Sequence, residues 1–190
     1  MGQLSVNGVM GYIEIPKISV DLPIRHGTSN AVLGSGVGHL YGTSLPVGGK
    51  STNSVLAAHR GVPSAVLFTR LDELKKGDYF YIHVLGKTLA YKVDATWTVD
   101  PDDIRHYSIT PGKDYVTLLT CTPYGVNTQR LLVRGTRVPL NEATTQLDHG
   151  IYPDLYIAVL LVVTVVIIGC GIGVRMAAGR PVHASHARKR

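Results

Sequence analysis

The sequence predicts a mainly β domain closed into a barrel and followed by one membrane-spanning helix. Three observations carry that reading. Apolar residues recur with period two in short runs, each bounded by Gly, Pro, Ser or Asn. Helical periodicity is confined to a single stretch. Twenty residues without a charge, LYIAVLLVVTVVIIGCGIGV, stand together at Leu155–Val174. The 190 residues include 21 Gly and 10 Pro and are 45% hydrophobic, which places the chain outside the collagen-like and disordered classes.

Taken in order, Gly11–Ile15 (GYIEI) alternates and Val20–Ile24 follows a Pro-bounded turn, which makes both strands; Ser54–Ala58 (SVLAA) is a short apolar strand. Tyr79–Val84 and Lys87–Trp97 flank Leu85-Gly86 and predict a hairpin. Tyr115–Cys121 and Gln129–Arg137 form another pair around a loop containing Pro123, Gly125 and Asn127, which brings the count to seven or eight strands. One helix is expected over Ser64–Lys75, with Ser64 as cap, Val66, Leu67, Leu71 and Leu74 on a core-facing side, and Gly77 as the stop. Many short strands with one helix argue for a closed barrel.

At 1.5 Å per residue, Leu155–Val174 as a helix spans roughly 30 Å, the thickness of a bilayer core. Tyr152 and Tyr156 suit the interface at one end, and Arg175, Arg180, Arg188, Lys189 and Arg190 follow the other with no acid among them. The positive-inside rule then puts the tail in the cytoplasm and the preceding domain outside. The formal charge of +6 belongs mostly to that tail, because residues 1–150 carry 14 Lys/Arg against 12 Asp/Glu; no basic footprint for nucleic acid remains. The first thirty residues hold no apolar export signal, so an upstream signal or first membrane helix is expected to be missing. The expected organisation is a truncated segment at 1–10, a β-barrel at 11–140, a linker at 141–154, the membrane helix at 155–174 and a basic tail at 175–190.

Cys121 and Cys170 are the two cysteines. Cys170 lies within the membrane helix, so the two are not expected to pair, and an unpaired thiol on an exported domain points to a reactive role for Cys121. Cys121 ends a strand beside a loop, His59 closes the strand SVLAAH, and Arg130 opens the strand after the Cys121 loop. Together they describe a thiol nucleophile, an imidazole to exchange protons with amines, and a guanidinium to stabilise an oxyanion or hold a substrate backbone. That set supports acyl transfer through a thioester.

These residues also carry a resemblance. TLLTCTPYGVNTQRLLVRG (Thr117–Gly135) resembles the T-L-x-T-C signature of sortases, with the sortase arginine nine residues after the cysteine, and SVLAAHRG (Ser54–Gly61) resembles the strand and histidine that precede it by about sixty residues. The likeness continues through GYIEIPKI (Gly11–Ile18), LPIRHGTS (Leu22–Ser29), GVGHLYGTSLPVGG (Gly36–Gly49), LFTRLDELKKGD (Leu67–Asp78) and LGKTLAYKV (Leu85–Val93). The TCTPYG continuation and the C-terminal membrane helix resemble the class C, pilin-polymerising branch.

The resemblance implies an eight-stranded β-barrel with one or two short helices, with Cys121 as nucleophile, His59 as general acid/base and Arg130 as third member. It implies cleavage of an LPXTG-type sorting signal between Thr and Gly, then transfer to a lysine amine of a pilin subunit, with cell-wall precursor amines as the other acceptor. No metal or organic cofactor is implied. Class C enzymes carry an N-terminal lid with an Asp-Pro-aromatic element; nothing before Gly11 matches it, and an open cleft is expected.

Other classes fit less well. A papain-like protease sets Cys before His, and a chymotrypsin-like cysteine protease sets its Cys in a Gly-rich context, whereas here His59 comes first and Thr120 and Thr122 flank Cys121. Metal-ligand spacing of the C-x-x-C or H-E-x-x-H kind is lacking. The non-enzymatic rival is a membrane-tethered barrel that binds surface-protein tails, which has no need of the three residues together. Trp97 is expected in the core, His26 and His39 in solvated loops, and Asp102-Asp103 and Lys75-Lys76 as exposed charge pairs.

Overall fold

The computed structural model describes residues 8–62, 65–143, 161, 162 and 164. Eight strands form the fold: β1 (Val9–Ile15), β2 (Val20–His26), β3 (Val37–His39), β4 (Thr52–Ala57), β5 (Tyr79–Val84), β6 (Lys87–Val99), β7 (Asp114–Thr122) and β8 (Gln129–Val138). They close into a barrel in the order β1-β2-β3-β4-β7-β8-β6-β5, with β5 returning to β1. Closure pairs every edge strand and leaves no open ladder.

Two of the pairings are parallel. Strand β2 runs parallel to β3, which needs a crossover, and the short helix α1 (Asn30–Leu33) supplies it, its cap Ser29 accepting from the Val32 N–H. Strand β4 runs parallel to β7, from Thr52↔Asp114 to Ala57↔Leu119, and the whole β5–β6 hairpin lies between them in sequence. That hairpin turns through Leu85 and Gly86, with φ of 50° and 69°; two positive φ values make the tight turn that suits strand twist.

Alternate residues of each strand fill one continuous core, including Ile13, Ile15, Ile24, Leu56, Phe80, Ile82, Leu118 and Val133. Phe80 and Tyr91 stack inside it with ring centroids 5.5 Å apart. Gly135 of β8 lies beneath them, and a Cβ there would stand 2.5 Å from Phe80 Cε1.

Several sequence expectations are corrected. The stretch expected as a helix over 64–75 is a series of turns ending in a 3-10 helix, Leu71–Glu73; Ser64 itself lies outside the described residues. Leu67 has φ of 42°, a left-handed conformation that breaks a right-handed helix, and the Phe68 N–H is drawn to the His59 carbonyl at 3.1 Å. Leu67, Leu71 and Leu74 are buried as expected, but Val66 is exposed. Strand β3 and helix α1 were not expected; each is too short to show a period. Trp97 is half-buried outside the core cluster, and His39 is only 1% exposed instead of solvated. Asp103 is largely covered and paired with Arg105.

The barrel belongs to one compact unit, Met1–Thr145. The expected membrane helix lies outside the described residues apart from Leu161, Val162 and Thr164, which are helical and exposed. Among the described residues no helix is long and apolar enough to cross a membrane.

Candidate active site

The parallel β4–β7 pairing and the antiparallel β7–β8 pairing bring the three expected residues into one row. In β7–β8, Cys121 is the Cα partner of Arg130, and directly opposed residues project to the same face. In β4–β7, Ala57 partners Leu119, and the Ala58 N–H still donates to the Leu119 carbonyl at 3.1 Å. Continuing that register by two residues puts His59 level with Cys121. His59, Cys121 and Arg130 therefore lie side by side across β4, β7 and β8.

Which face they occupy follows from strand alternation. Leu56 and Ala58, Val116 and Leu118, and Leu131 and Val133 point into the core. The three site residues have the opposite parity on their strands and so face outward, each half-buried. Among the described residues Cys121 is the free thiol, and it is half-buried.

The segment between β6 and β7 roofs part of the same face. Asn53 of β4, 1% exposed, donates from Nδ2 to the carbonyls of His106 (3.0 Å) and Ser108 (3.3 Å) and accepts from Thr117 Oγ1 at 2.9 Å. Trp97 stacks on His106 with centroids 4.1 Å apart, and Arg134 lies over Trp97 and Tyr115 while Asp94 holds its fork. Burial pushes the Tyr107 phenol up, opposed by the nearby positive charge of Arg130. The Arg130 guanidinium donates to the carbonyls of Asn127 (3.2 Å) and Gln129 (3.0 Å), which aims it along the β7–β8 corner.

Beyond the three expected residues, the structure adds Asn53, Tyr107, Arg60 and Thr122 around the site. Arg60 follows His59 directly in sequence, but nothing local marks it as buried; its partners lie as far away as Thr122. Among the described residues no group of three or more His, Cys, Asp or Glu is arranged to hold a metal ion.

A thiol, an imidazole and a guanidinium thus lie in one outward row on a closed eight-stranded barrel. The sortase domain family matches residues 13–138, and the chain belongs to the sortase family. It is 34% identical over 131 residues to Sortase D of Bacillus subtilis, covering 67% of this chain and 63% of that protein. To Sortase A of Streptococcus agalactiae it is 33% identical over 141 residues, covering 72% and 56%. The chain thus spans about three fifths of the length of these relatives.

Among solved structures, sortase C1 of Streptococcus agalactiae superposes with a TM-score of 0.71 at 58% identity, covering 73% of this chain and 72% of that one. Sortase C-1 of Streptococcus pneumoniae gives a TM-score of 0.71 at 54% identity, covering 72% and 70%. Sortase C-1 of Actinomyces oris gives 0.70 at 54%, covering 72% and 77%.

Proposed function

We propose that this protein is a cysteine transpeptidase of the class C kind, which joins pilin subunits through their sorting signals. The observation that carries the proposal is the alignment of His59, Cys121 and Arg130 across three adjacent strands. Its similarity to solved sortase C structures, one of them described as a pilus-related enzyme of Group B Streptococcus, supports the choice of substrate class.

In the first half-reaction the Cys121 thiolate attacks the Thr carbonyl carbon of an LPXTG-type signal. Arg130 stabilises the oxyanion. The C–N bond to Gly breaks, the His59 imidazolium gives its proton to the departing amine, and a thioester remains on Cys121. In the second half a pilin lysine amine attacks the thioester carbonyl, His59 takes the amine proton, and the Cys121 thiolate leaves as an isopeptide bond forms. In this reading the catalytic unit faces the outside of the cell, with the apolar stretch 155–174 as its membrane anchor and the basic tail in the cytoplasm.

A second reading within the sortase family is wall anchoring, with a peptidoglycan-precursor amine as acceptor; the chain is similar to sortases beyond the C type, among them Sortase A of Streptococcus agalactiae. The test is transpeptidation by the full 190-residue chain in detergent, with an LPXTG-type peptide and competing lysine-peptide and glycine-type amines. A Cys121 thioester resolved by the lysine peptide supports the pilin reading, and resolution by the glycine-type amine supports wall anchoring. No adduct in the folded chain, with Cys121→Ala as control, leaves a tethered binder.

A further inference from the structure

We propose that Arg60 is a positioning residue that sets His59 against Cys121. The inference rests on the reading of those two residues as the acid/base and nucleophile.

The residues on either side of His59 are tied to the residues on either side of Cys121. On one side the Thr120 hydroxyl donates to the Ala58 carbonyl at 2.8 Å. On the other, Arg60 Nη1 donates to Thr122 Oγ1 at 3.3 Å. Strand β4 ends at Ala57, and among the described residues the Ala58 N–H makes the last backbone bond from this segment to β7; beyond it the Arg60 side chain keeps the segment level with β7.

Arg60 is suited to the task because each nitrogen of its fork serves a different direction. Nε donates to the Thr69 carbonyl at 3.1 Å, Nη1 to Thr122, and Nη2 to Asp72 Oδ2 at 2.6 Å. The Tyr124 ring lies 5.8 Å from its central carbon. The side chain is only 8% exposed, whereas that of Asp72 is 52% exposed. A rim salt bridge needs no such burial; a guanidinium clamped between the β4 exit, the 69–72 turn and the β7–β8 corner fixes three segments at once. The Phe68 N–H to His59 carbonyl bond and the Gly61 N–H to Thr69 Oγ1 bond hold the same turn against the same exit.

A proton-transfer residue displaced by about 1 Å can cost on the order of 10²-fold in rate. The bonds of Arg60 run to Thr69, Asp72 and Thr122, so its removal is expected to act on the placing of His59 more than on peptide binding. A lysine at this position keeps the charge opposite Asp72 but cannot serve three directions.

The experiment measures kcat, KM and the pH profile of LPXTG-type peptide cleavage for the full chain and for Arg60→Met, Arg60→Lys and Thr122→Val, with His59→Ala as reference. Arg60→Met is expected to lower kcat by about 30-fold or more, with KM within about twofold and an altered pH profile. Arg60→Lys is expected to recover only a small part of that loss. If Arg60→Met does not fold, Thr122→Val decides, since it removes one tie: reduced kcat supports the proposal and wild-type kcat overturns it. Arg60→Met that folds with wild-type kcat and pH profile, losing only thermal stability, also overturns it. Unchanged kcat in His59→Ala overturns the underlying site reading instead, and is told apart from failure of Arg60 alone, in which His59→Ala is inactive and Arg60→Met is not.

Discussion

Cys121 and Arg130 are direct partners across the β7–β8 ladder, so thiol and guanidinium leave the sheet on the same face. The Arg130 head is held by two carbonyls of its own corner, Asn127 and Gln129. In the proposed mechanism Arg130 stabilises the oxyanion, and a charge held in place before substrate arrives is the kind that accelerates reaction most. Arg130→Lys keeps the charge but loses the fork. Its acyl-enzyme formation is expected to fall by about 10²-fold with little change in thermal midpoint, followed by mass spectrometry of the Cys121 adduct and by a melting curve.

Asn53 joins the roof of the site to its floor. Asn53→Ala removes the donor to two carbonyls and the acceptor for Thr117 Oγ1, and a buried polar group left unpaired costs about 1–3 kcal/mol. The expected result is a loss of that size by denaturant titration, faster hydrogen exchange over residues 104–109, and a raised KM for the peptide. Unchanged exchange in that segment would refute the link between Asn53 and the roof.

Gly135 is required by space. An added methyl at this point of β8 meets Phe80 and, at 2.9 Å, Tyr91 Cβ, and both rings are fully buried. Overpacking of this kind costs about 1–3 kcal/mol. Gly135→Ala is expected to lower the thermal midpoint while the folded fraction keeps its turnover, because the clash lies inside the barrel and the reacting row outside it.

His39 makes stability depend on pH. Its Nε2 lies 2.9 Å from the Ser44 carbonyl and so carries the proton, which leaves Nδ1 to accept from His26 Nδ1 at 3.1 Å. Burial pulls its pKa below the ordinary 6.5, and charge on His26 pulls the same way. The unfolded chain, titrating near 6.5, then binds the proton more readily than the folded one. The His39 contribution is present in full above about pH 6.5 and is lost as pH falls through the lower folded value. The thermal midpoint is expected to drop on acidification from about pH 7 to pH 5, and His39→Gln to flatten that part of the curve; identical slopes in the two proteins would exclude His39 as the source.

Local pattern alone marks most of the barrel. Strands β1, β2, β4, β5, β6, β7 and β8 alternate or are apolar over enough residues to show their period, and the Leu85-Gly86 turn announces its hairpin by composition. The 64–75 stretch misled because Leu67, Leu71 and Leu74 are indeed buried, but through turns whose carbonyl and amide partners, such as His59 with Phe68, lie elsewhere in the chain. His39 and Trp97 were misplaced for a related reason: a residue's burial depends on which segment lies over it, and the segment over Trp97 is the His106 loop.

The sequence by itself determined the positions of every strand except β3 and the family resemblance, and it singled out His59, Cys121 and Arg130 as candidates, since these rest on residue type and short-range spacing. Only the tertiary structure decided that β4 lies parallel to β7, which sets His59 level with Cys121, and that Arg60 is buried between them and the 69–72 turn. A parallel pairing reached through an intervening hairpin, and a guanidinium whose partners are up to 62 residues away, leave no trace in local periodicity. They exist only once the barrel has closed.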